Sequence, residues 1–472
     1  MIALIRRIAG VVLILMIAFT ACTKMKPVQR TASEKLVTHV DFSSWIPESF
    51  TVSHDGKQIA YVTKVGERSC VVLNGEQGKL YEKIGPTTLR FSPNDSFFTY
   101  VAIENKKQFL VINGEEGTRY DGIMQGSPVF SADESRMAFT ALRDGKWFVV
   151  LDGVEGPHYD AIGDMSMIFS VDGQRFAYRA LVDGMYRVVV DGVESREYKS
   201  LMRGTPIFSD DGKHVAYAAG LNERHFVVHD GVEGKRYENI AEGTLVFSPD
   251  GNDLCYGAKK DGKFFLVRNG KEGVRYDGIM PGSPVFSKDG TRIVYGARIS
   301  NPGNIGDMQF MVDDGVEQKR YNAVGSPPIL SPNDEKLAYV VRRGLKWFVI
   351  LDGEEQEEYD GIGMTPYPVF SPDSKHISYV AKVMGEWFVV RDASEGTYYD
   401  DIAAGSLRFS PKGRYMAYAA RADTSWTVVV NGKEGNYYED VLGNGIQFDS
   451  EKSFRYIAIR DSSLLHVTEQ IR

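Results

Sequence analysis

The sequence predicts an all-β fold, a β-propeller of four-stranded antiparallel blades, and three observations carry that reading. A signal of the form apolar-Ser-x-Asp, drifting at its last position, recurs at Val52, Phe91, Phe130, Phe169, Phe208, Phe247, Phe286, Leu330, Phe370, Phe409 and Phe448. Eight of the ten steps between copies are 39 residues, and the other two are 44 and 40. Beyond the apolar leader, no stretch of useful length repeats its apolar positions at the period of a helix. Many copies of a four-stranded unit of about 40 residues are the mark of propeller blades.

Within one unit, Phe247 to Val285, the elements follow in order. A short apolar stretch ends in Phe247-Ser248, and Pro249-Asp250-Gly251 turns the chain. Asp253 to Ala258 alternates as a strand does and stops at Lys259-Lys260-Asp261-Gly262. Phe264 to Val267 is rich in strand formers, and Asn269-Gly270 is a two-residue hairpin signal. Arg275 to Ile279 reads as the fourth strand, and Pro281-Gly282-Ser283 leads into the next copy.

The ends of the chain predict how the array closes. The eleventh unit stops after three strands, roughly Ile446 to Phe448, Phe454 to Arg460 and Leu464 to Thr468. The missing strand is expected from residues 39 to 46, since Phe42 stands ten residues before Val52 as Tyr120 stands ten before Phe130. Pairing the two ends would remove an exposed sheet edge. The count is ten full repeats plus one blade shared between the ends, in one large ring or two smaller ones. Eleven blades exceed the usual four to eight of a single ring, yet the spacing shows no linker where a second would begin.

The stretch Phe-Ser-Pro-Asp-Gly-x-x-x-x-Tyr, as in Phe247 to Tyr256, resembles the WD40-like repeats of TolB-type propellers and of related peptidase propellers. The resemblance covers residues 38 to 468 and implies the fold. No Trp-Asp dipeptide occurs, so the true WD40 pattern is absent. At the chain start, Arg6 and Arg7 precede the apolar run Ile8 to Phe19, as in a secretory signal. Twelve apolar residues would rise about 18 Å as a helix, short of a membrane's hydrocarbon core of about 30 Å. Phe19-Thr20-Ala21-Cys22 resembles the bacterial lipobox, which implies cleavage before Cys22 and its lipidation. Thr23 in place of Asp implies an outer-membrane destination. The expected organisation is a lipoprotein signal peptide over 1–21, a lipidated tether over 22–37 and the repeat region over 38–468.

Composition narrows function mainly by exclusion. The 55 basic and 63 acidic residues of the 472 give a net charge of −8, which opposes non-specific attraction to nucleic acid. Cys70 and Cys255 occupy different slots of distant units, so a disulfide framework is not expected. The tyrosines before each repeat signal (Tyr81, Tyr120, Tyr159 and their successors to Tyr438) read as inter-blade packing, because a slot filled in every unit reports what every blade needs. The Asp/Asn-Gly-x-Glu-Gly elements read as turns needing positive φ, not as calcium loops. His225 and His229 lie about 13 Å apart along a strand, too far for one zinc ion. No metal site, cofactor or catalytic motif is expected: G-x-S-x-G, phosphate loop, G-x-G-x-x-G and H-E-x-x-H are all missing.

The turns after the first and third strands are chemically uniform, whereas the loops after the second and fourth vary, and variation without loss of fold is what recognition permits. The long loop Ser300 to Asp307, with Asn301, Asn304 and Asp307, lies on that variable side. Met124, Met202, Met280 and Met364 share one slot in the loop entering the next blade and offer an adaptable apolar surface, or packing of loop on blade. The expected function is a membrane-anchored envelope lipoprotein, facing the periplasm from the outer membrane, that binds or assembles protein or peptide partners. The alternatives are a carbohydrate-active or glycan-binding propeller and a purely structural envelope protein.

Overall fold

The computed structural model describes residues 28–300, 306–363 and 367–472. They form eleven antiparallel sheets, each a blade. Blade 6 is representative. Its first strand comes in two pieces, Asn239–Ile240 and Val246–Phe247, both paired with Leu254–Lys260, which pairs in turn with Lys263–Arg268 and so to Lys271–Glu272.

The repeat signal is a hydrogen-bonded turn. The Ser248 hydroxyl donates to Asp250 at 2.5 Å and accepts the Asp253 N–H at 2.9 Å, and the same pair of bonds recurs at Ser170, Ser209, Ser287 and Ser371. These bonds hold the aspartates below the usual carboxylate range, led by the serine hydroxyl. Blade 10 carries Lys412 where the aspartate stands, and there Glu451 from blade 11 accepts the Ser410 hydroxyl at 2.9 Å. The Asn269-Gly270 hairpin takes positive φ at both residues (48° and 76°), as its sequence requires.

The fourth strand differs from expectation. Asn269-Gly270 is so tight that Lys271–Glu272 already pairs with the third strand, and Tyr276 completes that edge by exchanging backbone bonds with Phe264 at 2.7 and 2.8 Å. Gly278–Ile279 has crossed to Ile293–Ile299 of blade 7. The apolar pattern of Arg275 to Ile279 is continuous across that boundary and does not mark which sheet each half joins.

Eleven apolar clusters join the eleven sheets, one per pair of neighbours, and the last joins blade 11 to blade 1. The array is therefore one closed ring. Because packed sheets lie about 10 Å apart, its circumference at mid-blade is roughly 110 Å and its diameter roughly 35 Å. The slot tyrosines fill the seams, almost wholly buried. Each sits edge-on to an aromatic ring, as Tyr198 does to Tyr217 at 5.9 Å, and several hydroxyls donate to a glutamate of the next blade, as Tyr159 does to Glu194 at 2.8 Å. Cys70 and Cys255 are buried free thiols, with burial pushing Cys255 up to about 12.

The closing strand is Arg30–His39, upstream of the residues expected to supply it. It runs along Ser463–Ile471 from Arg30 opposite Ile471 to His39 opposite Ser463. Trp45–Val52 is instead the first strand of blade 1. Glu34 takes the place that hairpin glutamates hold elsewhere: Tyr438 donates to it at 2.8 Å, and Arg460 pairs with it. Arg30 pairs with Glu469 at 3.1 Å, both almost inaccessible, and Tyr456 donates to Glu469 at 2.7 Å. Residues 30 to 37, read as tether, thus belong to the ring.

Deleting residues 30–39 should lower the melting temperature far more than deleting 23–29, because the first exposes an edge and strips Glu469 and Arg460 of partners. Equal melting temperatures for the two deletions would contradict this closure.

Candidate interaction face and central channel

The split first strand lies nearest the ring axis. Between neighbouring blades its turns touch through backbone and short side chains: the Gly282 N–H donates to the Gly243 carbonyl at 3.2 Å, and Gln125 Nε2 to Thr87 Oγ1 at 3.0 Å. At the opposite edge, neighbours are bridged by long side chains, as Arg196 to Glu233 at 3.1 Å and Lys319 to Glu355 at 2.6 Å. Blades that converge at one edge and splay at the other place the first edge at the channel.

Midway along that strand most blades interpose a turn, which one buried hydroxyl anchors. Ser283 donates to the Met280 carbonyl at 2.7 Å and accepts the Gly296 N–H of the adjoining strand at 3.1 Å. Ser49, Thr88, Ser166, Thr244 and Ser406 make the same two bonds. The hydroxyl replaces the ladder bond that the interruption removes. Met124, Met202 and Met280 begin such turns and are partly buried against the seam clusters, so they pack loop on blade. Gly296 leaves the space that Met280 occupies: a Cβ there would lie 2.7 Å from its sulfur. Among the described residues, the exposed methionine of this ring of turns is Met165, at 89%.

Below the turns, the residue before each repeat signal faces the channel seam. It is Val129, Ile168, Ile207, Val246, Val285, Ile329 and Val369 in blades 3 to 9, but Arg408, Gln447, Thr51 and Arg90 in blades 10, 11, 1 and 2. Cavities of about 470 and 420 Å³ open along that polar arc, one lined by Thr51, His54 and Arg90, the other by Thr51, Arg408 and Gln447. Among the described residues neither arginine meets a carboxylate, and Arg408 donates only to the Leu407 carbonyl at 3.0 Å.

On the variable face, the turn between second and third strands is tied down by an acid or amide after the slot tyrosine. Asp121 accepts the Asp144 N–H at 3.0 Å, Asn322 the Gly344 N–H at 2.8 Å and Asp360 the Met384 N–H at 2.8 Å. These turns are polar-tipped except in blades 8 and 9, where Leu345 is 90% and Met384 91% exposed. Blade 7, their neighbour, carries the long loop. Its Asp307 pairs with Arg298 at 2.8 Å and so fastens the loop to its own strand. Asn301, Asn304, Met364 and Cys22 lie outside the described residues. Nothing in repeat periodicity singled out Leu345 and Met384; aligning the turn slot across units and asking which copies lose Asx-Gly would have found them.

No protein-family profile and no curated protein matches the chain. Several solved structures are similar. A eukaryotic initiation factor is 13% identical over 70% of this chain and 92% of its own, with a TM-score of 0.40. The Dos1 propeller is 12% identical over 64% and 91%, with a TM-score of 0.34. TolB from Acinetobacter baumannii is 16% identical over 58% and 77%, with a TM-score of 0.26. The β-propeller of four-stranded blades that the repeat implied is the fold the chain has.

His225 and His229 do not meet, standing opposite Gly220 and Ala216 of the neighbouring strand. His229 instead meets His214 and Asp230, a juxtaposition visible in sequence only once the two slots that face each other across the hairpin are known.

Ser283→Ala should cost about 1–3 kcal/mol by leaving the Gly296 N–H buried without an acceptor. Urea unfolding of the variant checks this, with a lowered midpoint expected.

Proposed function

We propose that the protein is a lipid-anchored propeller that binds a protein or peptide partner on its variable face, in the cell envelope with the outer membrane as its anchor. The observation that carries this reading is the pair of apolar tips, Leu345 and Met384, held out by side-chain bonds to their own backbone on adjacent blades. Apolar side chains fixed in water at the tips of turns that are polar elsewhere contribute nothing to the ring, and gain from being covered. Among the described residues no helix is long and apolar enough to cross a membrane. In this reading the lipid on Cys22 is the anchor.

The course of the chain supports the orientation. Arg30 pairs with Ile471, at the end of its strand remote from the variable face. The eight residues from Cys22 to Gln29 would span at most about 28 Å. A lipid on Cys22 therefore puts the uniform face toward the membrane and leaves the variable face free.

Leu345→Glu combined with Met384→Glu should abolish partner cross-linking from photoreactive groups placed in the Ser300 to Asp307 loop, with melting temperature within about 2 °C of the parent because both sites are solvent-exposed. Val154→Glu on the uniform face is the control that leaves cross-linking intact. Loss of cross-linking in the control alone would place recognition on the wrong face. Cys22→Ser should leave the fold unchanged and move the protein from the membrane to the soluble fraction; a variant still membrane-bound at high salt would refute the lipid as sole anchor.

A further inference from the structure

Wherever blades 3 and 4 meet their successors, the seam near the uniform face is closed by an arginine. Arg136 and Arg175 pair with Asp152 and Asp191, each at 2.9 Å, and lie over Phe169 and Phe208 of the next blade. In blade 5 the arginine slot holds His214, and the apolar slot beside it, Leu151 or Val190 in those blades, holds His229. Both imidazoles lie beside Phe247, at 6.3 and 5.5 Å between ring centres, so seam packing accounts for one aromatic ring and leaves the second unexplained.

His214 Nδ1 is 2.6 Å from Asp230 Oδ2, and His229 Nε2 is 3.5 Å from the same oxygen. His229 Nε2 is inaccessible and has no hydrogen-bond partner. The other oxygen of Asp230 accepts the Val215 N–H at 2.9 Å, which fixes the carboxylate. All three donor atoms lie within 4.8 Å of one another, and among the described residues they are the one such group.

We infer that His214, His229 and Asp230 form a binding site for a borderline divalent cation such as Zn²⁺. Donors bound tetrahedrally at about 2.0–2.1 Å stand about 3.3 Å apart, close to the His229 to Asp230 spacing. The short His214 to Asp230 contact opens as the cation takes the place of the proton on His214 Nδ1, the ring then carrying its proton on Nε2, and a small imidazole rotation brings the third donor in. Two neutral nitrogens and one oxygen suit Zn²⁺ over the harder Mg²⁺. A cavity of about 420 Å³, lined by His229, Asp230, Glu233, Lys235 and Asn269, adjoins two of the three donors' residues.

The test is calorimetric titration of the full, untagged, chelator-stripped chain with Zn²⁺ alone. One equivalent should bind at pH 7.5, with no binding of Mg²⁺. His214→Arg recreates the arginine–aspartate pair of blades 3 and 4, so it should keep the melting temperature of the metal-free protein while weakening Zn²⁺ at least tenfold. His229→Leu should weaken it likewise, and His376→Arg, at the same slot of blade 9, should leave it unchanged. Absence of stoichiometric binding, or binding that persists in both His214→Arg and His229→Leu, overturns the assignment.

Discussion

Each blade is a sheet with two apolar faces, and this decides the architecture. In Leu254–Lys260 the first five residues are buried without interruption, although successive side chains point to opposite sides. A single blade would leave one or both faces in water, so stability requires a neighbour on each side and the only arrangement without an end is a ring. The seam tyrosines, the glutamates that accept their hydroxyls and the cations over the repeat-signal phenylalanines all serve that sideways packing. The clasp around Glu34 and Glu469 fastens strands from opposite ends of the chain into blade 11 and braces that blade against Tyr438 at the seam with blade 10.

Much of this was legible in the sequence, and the parts that were not have physical causes. The turn chemistry was local and therefore readable: Ser248 with Asp250 and Asn269 with Gly270 act within a few residues. The tyrosine slot was readable because it repeats. The assignment of Gly278–Ile279 to the following sheet was not, since its partner Ile293–Ile299 is chosen by packing and not by pattern. The closing strand escaped for the same reason: Glu34 does the work of a hairpin glutamate without the Asp-Gly that marks the others. The number of rings depends on a seam angle that no residue type encodes, and His214 meets His229 only through the pairing register of its hairpin.

The candidate sites follow where the repeat departs from itself. The ring supplies eleven equivalent positions for every slot, and structural need fills most of them alike. At the channel seam four consecutive blades exchange an aliphatic residue for Arg408, Gln447, Thr51 and Arg90, which breaks the symmetry of the wall into a long apolar arc and a short polar one. On the variable face the break falls at blades 7 to 9, next to that polar arc in the ring. The two asymmetries are thus centred about a third of a turn apart, on elements that repeat the same strand order.

Closure by Arg30–His39 also sets the order of events in folding. Glu34 and Arg460 are 426 positions apart, so the bond that locks the ring joins residues near the two ends of the described chain. Neighbouring blades can zip together through contacts about 40 positions apart, but the final seam carries the loop-closure entropy of almost the entire chain. Until that step the growing array is an open arc with raw sheet faces at both ends. A chain emerging from its amino terminus must therefore keep Arg30–His39 unpaired until Ser463–Ile471 has been made, which leaves that segment an exposed strand edge of the nascent protein.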